Sequence, residues 1–140
     1  MGDGSSVYLW SDAWLFQAIA IASSKRPATL AEVLAAADGV NHALPTDDEL
    51  HGALVRLTEG GFVEEVEQRF RLTERVPAHI TTAIITSGWK SGRAVASEYL
   101  GAEDWSAETN TRDPRNNVSF PGLTPERIRR ADRDRRRAKR

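Results

Sequence analysis

Cysteine is absent from this chain of 140 residues. That excludes disulfides, thiolate nucleophiles and cysteine-ligated zinc, and it accords with a reducing, cytoplasmic setting. Long hydrophobic runs are absent as well. The most apolar stretch, Ala13 to Ala22, is interrupted by Gln17 and is about half of the roughly 20 residues a bilayer demands, so no membrane contact is expected. The residues ahead of it carry Asp3 and Asp12 and no Lys or Arg, the wrong sign for a secretion signal. A glycine-rich phosphate loop, a Gly-x-Ser-x-Gly elbow and a Cys–His pair are all missing. Asp38 with His42, and Asp47 with His51, stand four apart, but no third ligand accompanies either pair, and such spacing is ordinary on helix surfaces. The expectation is a protein that is not an enzyme and holds no metal or cofactor.

What is present begins with a hydrophobic content of 40%, enough for one modest core. The net charge of −1 conceals a strong asymmetry: residues 1–77 carry 6 basic and 12 acidic side chains, and residues 126–140 carry 9 basic and 3 acidic. A basic terminal segment on an acidic body can reach nucleic acid or an acidic protein, or fold back on its own domain.

Local signals divide the chain further. Ser11 and Asp12 are good N-cap residues for a first helix with apolar positions at Trp14, Leu15, Ala18, Ile19 and Ala22. Thr29 with Glu32 forms a capping-box pattern that opens a second helix. Its stripe of Leu30, Val33, Leu34, Ala37 and Leu44 runs to Pro45, with a kink permitted at Gly39. Thr46 with Glu49 repeats the pattern, so a third helix follows at a tight corner and ends at Gly60-Gly61. Phe62 to Val66 and Arg69 to Thr73 then alternate as paired strands about a turn near Glu67-Gln68, without a glycine-rich tip.

Beyond Pro77, Ile80, Ile84, Val95 and Tyr99 suit helix up to about Leu100. Gly88 and Gly92 either bend that helix, and let another backbone approach in a homodimer that also uses Trp14 and Ile84, or break it into two. Residues 101–123 read as an irregular linker that can drape over the domain through Trp105, Val118 and Phe120. Thr124 and Pro125 then open a final helix with few apolar residues beyond Ile128, Ala131 and Ala138, too few for firm docking. The expected organisation is a flexible N-terminus over 1–10, a domain with its trailing helix over 11–100, the linker over 101–123, and a basic helical or disordered tail over 124–140.

Two helices, a corner, a third helix and a two-stranded hairpin over about residues 11–75 resemble the winged helix-turn-helix superfamily, similar to its compact bacterial MarR and PadR regulators. The resemblance implies a mainly α fold with a small β-hairpin. It also implies that the third helix and the wing are the contact surface, in some members for the major groove of DNA and in others for a protein.

With Leu50, Ala53, Leu54 and Leu57 turned inward, the expected outward face of the third helix comprises Asp48, Gly52, Val55, Arg56 and Glu59, flanked by Glu49 and His51. The wing contributes Glu65, Glu67, Gln68, Arg69 and Arg71. Carboxylates on this face repel a duplex that carries one charge per about 1.7 Å, so a protein partner is expected first. A transcription regulator that reads DNA through the third helix, wing and tail is the alternative. The tail supplies Arg127, Arg129, Arg130, Arg133, Arg135, Arg136, Arg137, Lys139 and Arg140. Three readings stay open for it: a solvated helix, an electrostatic contact with nucleic acid, or a cover lying over the acidic third helix and wing.

Overall fold

The computed structural model describes residues 7–105 and 113–138. Most of the expected flexible N-terminus, the middle of the expected linker, and Lys139 and Arg140 lie outside the described residues. Those described are mainly helical with one small antiparallel hairpin: α1 (Trp10–Ala22), α2 (Leu30–Asn41), α3 (Asp47–Glu59), β1 (Val63–Val66), β2 (Arg69–Leu72), α4 (Ala78–Thr86), α5 (Trp89–Leu100), a 3-10 turn (Pro114–Asn116) and α6 (Pro125–Ala138).

Helix α1 is the centre of the molecule. Every residue from Ser11 to Ala20 is buried, because α2, α3, α4 and α5 surround it. A helix enclosed on all sides needs no amphipathic stripe, which is why its sequence is apolar around most of its circumference. Its start differs from expectation. Leu9 is the N-cap, and Asp12, three residues on, accepts the Leu9 N–H at 2.9 Å instead of capping from in front. Trp14 donates its indole N–H to the Ala37 carbonyl at 3.0 Å and ties α1 to α2.

The two capping boxes form as expected. Thr29 and Glu32 close the start of α2, and Thr46 and Glu49 close that of α3. Helix α2 ends at Asn41, earlier than its apolar stripe suggests, because His42 takes the left-handed conformation at φ 54°; Leu44 is left exposed. At the end of α3, Gly61 has φ 78°, and the N–H groups of Phe62 and Gly61 return to the carbonyls of Leu57 and Thr58 at 3.0 and 3.1 Å. That is the Schellman arrangement, which turns the chain straight into β1.

In the hairpin Val63 pairs with Leu72 and Val66 with Arg69, leaving a two-residue turn at Glu67-Gln68 with both φ values positive, 52° and 65°. Ala28, between α1 and α2, exchanges two 2.8 Å backbone hydrogen bonds with Phe70 and so extends the hairpin by one bridge.

The region after Pro77 is two helices, not one. Gly88, at φ 85°, makes the break. Gly92 lies where a Cβ would sit 2.5 Å from the Ile84 carbonyl and 3.0 Å from Gln17 Nε2, so its missing side chain lets α5 cross tightly over α4 and α1. Of the residues expected from sequence at a dimer contact, Trp14, Ile84 and Gly92 are buried within the single chain and Gly88 is exposed.

Helix α6 starts as expected, with Thr124 Oγ1 accepting the Arg127 N–H at 3.1 Å. The expectation of weak docking is corrected: α6 packs on α2, with Ala131 buried and Ile128 half-buried against the core. Polar anchors supply what the few apolar residues do not. Arg135, only 9% exposed, reaches Asp38 of α2 at 3.4 Å, and Arg127 reaches Glu65 of β1 at 3.1 Å.

Candidate functional site

The inward stripe of α3 is as expected, with Leu50, Ala53, Leu54 and Leu57 all buried. The outward face is not open. Asp48 and Glu59 are exposed and Glu49 is half-exposed, but Gly52 is buried and Val55 is half-buried against the core. The cover is the chain's own segment of residues 113–123.

Arg56 is the pivot of that cover. Its guanidinium grips Asp12 with Nε at 2.6 Å and Nη2 at 3.0 Å, and Asp12 has no solvent exposure. The remaining donors reach over the top: Nη2 to Asn116 Oδ1 at 2.5 Å, and Nη1 to the Arg115 carbonyl at 2.7 Å. A guanidinium has five N–H groups in a fixed fork, and these four bonds leave little to offer a base edge or a phosphate.

Gly52 explains why Asn116 can lie so close. A Cβ there would fall 1.9 Å from Asn116 Oδ1, so any larger residue must push the Asn116 side chain off its bond to Arg56. The residue before Gly52, His51, accepts the Phe120 N–H at Nδ1 at 2.9 Å, and the Phe120 ring packs on Phe70 of the hairpin with centroids 6.2 Å apart.

A second arginine holds the cover from outside. Arg115 clamps Glu103 at 2.7 and 3.0 Å and Asp113 at 2.7 and 3.0 Å, and its own N–H bonds Asp113 at 2.9 Å. The Arg115 hydrogen bonds hold both carboxyls below the usual carboxylate range and raise the guanidinium's own pKa. Glu103 in turn donates its N–H to the Tyr8 carbonyl at 3.0 Å, so the clamp closes on the start of the domain.

The wing residues scatter. Glu65 is held by Arg127, which also donates to the Gln68 carbonyl and lies over the Phe70 ring at 5.7 Å. Arg71 pairs with Glu64 at 2.7 Å and Arg69 reaches the Pro27 carbonyl at 3.4 Å, both remaining exposed, as do Glu67 and Gln68. Of the tail, Arg127 and Arg135 turn inward, whereas Arg129, Arg130, Arg133, Arg136 and Arg137 are exposed.

Asp38 binds Arg135 and His51 binds Phe120, and no three His, Cys, Asp or Glu side chains among the described residues form a metal-sized group.

No family model, curated protein or solved structure matches this chain. Its geometry alone therefore carries the functional reading. Among the described residues no helix is long and apolar enough to cross a membrane.

Sequence inspection missed Asp12, Glu103, Asp113, Arg115 and Asn116 as members of this network. Asp113-Pro114 is a local signal for a capped turn, and the turn is there, but nothing local connects it to α3. A further cluster also went unnoticed. Trp89 is 43% exposed, and Arg93 lies over its ring at 5.7 Å and over the Trp10 ring at 5.0 Å, while bonding Asn41 Oδ1 at 3.1 Å. Burial lowers the Arg93 pKa. An open groove of about 380 Å³ between the end of α1, β2 and α4 is lined by Ser23, Lys25, Arg71 and Thr81.

Proposed function

We propose that this chain is a binding module of the winged-helix type that works without catalysis, as a regulatory or adaptor protein with a protein partner. The order helix, bridge residue, helix, helix and hairpin supports that type. One observation carries the choice of partner: the face of α3 that a DNA reader inserts into the major groove is occupied by residues 113–120, with Arg56 spent on Asp12, Asn116 and Arg115. The carboxylates that stay exposed around it, Asp47, Asp48 and Glu59, repel phosphates.

The protein contact falls on Trp10, Trp89 and Arg93. Exposed Trp beside Arg is the composition in which interface binding energy concentrates.

A photo-crosslinking residue placed at position 89 tests this in the source cells. The expected result is one discrete protein adduct that is lost with Arg93→Ala and not formed from position 74 on the far side of the hairpin. Enrichment of a consensus from random duplexes, abolished by substituting His51 and Val55, overturns it in favour of a DNA regulator.

A further inference from the structure

Seven arginines and three acids lie on α6. Two of the arginines, Arg127 and Arg135, point into the molecule and fasten the helix to Glu65 and Asp38. The other five share its opposite side. At 100° per residue, Arg129, Arg130, Arg133, Arg136 and Arg137 fall within about 120° of the helix circumference, facing away from buried Ala131.

Two of the five are engaged on the helix itself, Arg130 with Glu126 at 3.8 Å and Arg136 with Asp132 at 3.3 Å. Arg129, Arg133 and Arg137 have no carboxylate partner among the described residues. They stand at i, i+4 and i+8, a straight row of cations about 12 Å long at 1.5 Å per residue.

We propose that this ridge docks the phosphate backbone of duplex DNA, independently of base sequence and independently of α3. Over 12 Å one strand of a duplex presents about three to four phosphate charges, at about 3.4 Å each along the axis, so the row of three arginines and the strand beneath it match in charge density. Arg is suited to this contact, since its planar fork pairs with two phosphate oxygens at once. Because α6 is already folded and anchored on α2, the row is pre-ordered, and binding does not have to fold a tail.

Other polyanions fit less well. A protein interface has an apolar centre depleted of charge, and no apolar side chain interrupts the five arginines. On an anionic membrane a helix gains stable hold by adding buried apolar area to its charge, and the apolar face of α6 is occupied by α2. Single strands bind through stacked aromatics, of which α6 has none. Duplex RNA is gripped across two minor grooves over about 16 base pairs, longer than the ridge, whereas the B-form major groove is about 12 Å wide with phosphates on both rims.

Anisotropy of a labelled 20-base-pair DNA duplex of arbitrary sequence, titrated with the full chain across 25 to 200 mM salt, tests the ridge against Arg129→Ala/Arg133→Ala/Arg137→Ala. Removing three phosphate contacts is expected to flatten the slope of log affinity against log salt by about 2.7, at about 0.9 per phosphate, and to weaken binding at 100 mM salt at least tenfold. The circular dichroism and melting temperature of the variant stay unchanged because all three side chains are exposed. The triple lysine variant is expected to keep most of the slope. Absence of duplex binding at 25 mM salt, or binding undiminished in the alanine variant, overturns the proposal. So does competition by a poly-glutamate peptide equal to that of the duplex, or tighter binding of the RNA duplex of the same sequence. The crosslink at position 89 reports separately on the protein partner, so either reading can fail alone.

Discussion

Arg56 of α3 and Asp12 of α1 form a two-pronged ion pair, at 2.6 and 3.0 Å, in which the carboxylate has no solvent exposure and the guanidinium side chain has 11%. Asp12 also accepts the Leu9 N–H that starts α1. One carboxylate thus caps the central helix, anchors the third helix to it, and through Arg56 holds Asn116 and the cover. Removing either partner strands a buried charge, which typically costs 3 to 5 kcal/mol.

Arg56→Ala is therefore expected to lower the urea unfolding free energy by about 3 to 5 kcal/mol, a loss readable from the transition midpoint. Replacing Asp12 by Asn in the same background should recover part of it, because the stranded charge is then gone. A loss below about 1 kcal/mol in the single variant contradicts the account.

Gly52→Ala is expected to act on the cover and spare the helix. Alanine favours helix by about 1 kcal/mol over glycine, yet its Cβ would fall 1.9 Å from Asn116 Oδ1 and 2.7 Å from Arg56 Nη2. The predicted signature is faster amide exchange at Asn116, Asn117 and Phe120, with global stability changed by about 1 kcal/mol or less. Unchanged exchange there would mean that Asn116 moves aside without loosening the segment.

The Arg115 clamp predicts an acid-sensitive cover. Asp113 and Glu103 have their pKa values lowered in the folded chain, so they contribute stability above their ordinary carboxylate range. That contribution is lost as pH falls through the lowered folded values, in a window below about pH 4. Arg115→Met is expected to flatten the dependence of stability on pH in this window while leaving the curve above pH 5 nearly parallel to that of the parent. A slope unchanged by the substitution would assign the acid sensitivity to other carboxylates.

The hairpin turn stores a correctable strain. Glu67 and Gln68 both hold positive φ without being glycine, and for L-residues the left-handed region costs roughly 1 to 2 kcal/mol each. Asn-Gly is the pair that a two-residue turn of this kind prefers. Glu67→Asn with Gln68→Gly is expected to raise stability by about 1 kcal/mol or more, read by thermal unfolding. Arg127 contacts the Gln68 backbone carbonyl, which the change leaves in place.

How much was legible follows from the range of each interaction. The capping boxes at Thr29 and Thr46, the glycine stop after α3, the hairpin turn at Glu67-Gln68 and the Thr124-Pro125 start of α6 depend on residues within about five positions of each other, so the sequence alone determined them. The inward stripe of α3 was legible for the same reason, since helical periodicity states which residues share a face.

What covers the opposite face was not. Arg56 meets Asp12 across 44 residues and Asn116 across 60, His51 meets Phe120 across 69, and Arg135 meets Asp38 across 97. No periodicity encodes such pairs. Only the packed path of the chain brings them together, and there the cost of leaving a charge or a polar group unpaired away from water selects the partner. The composition of the C-terminal segment made it basic, but the tertiary structure decided that, of the seven arginines on α6, two turn inward to fasten the helix and five are left to face solvent.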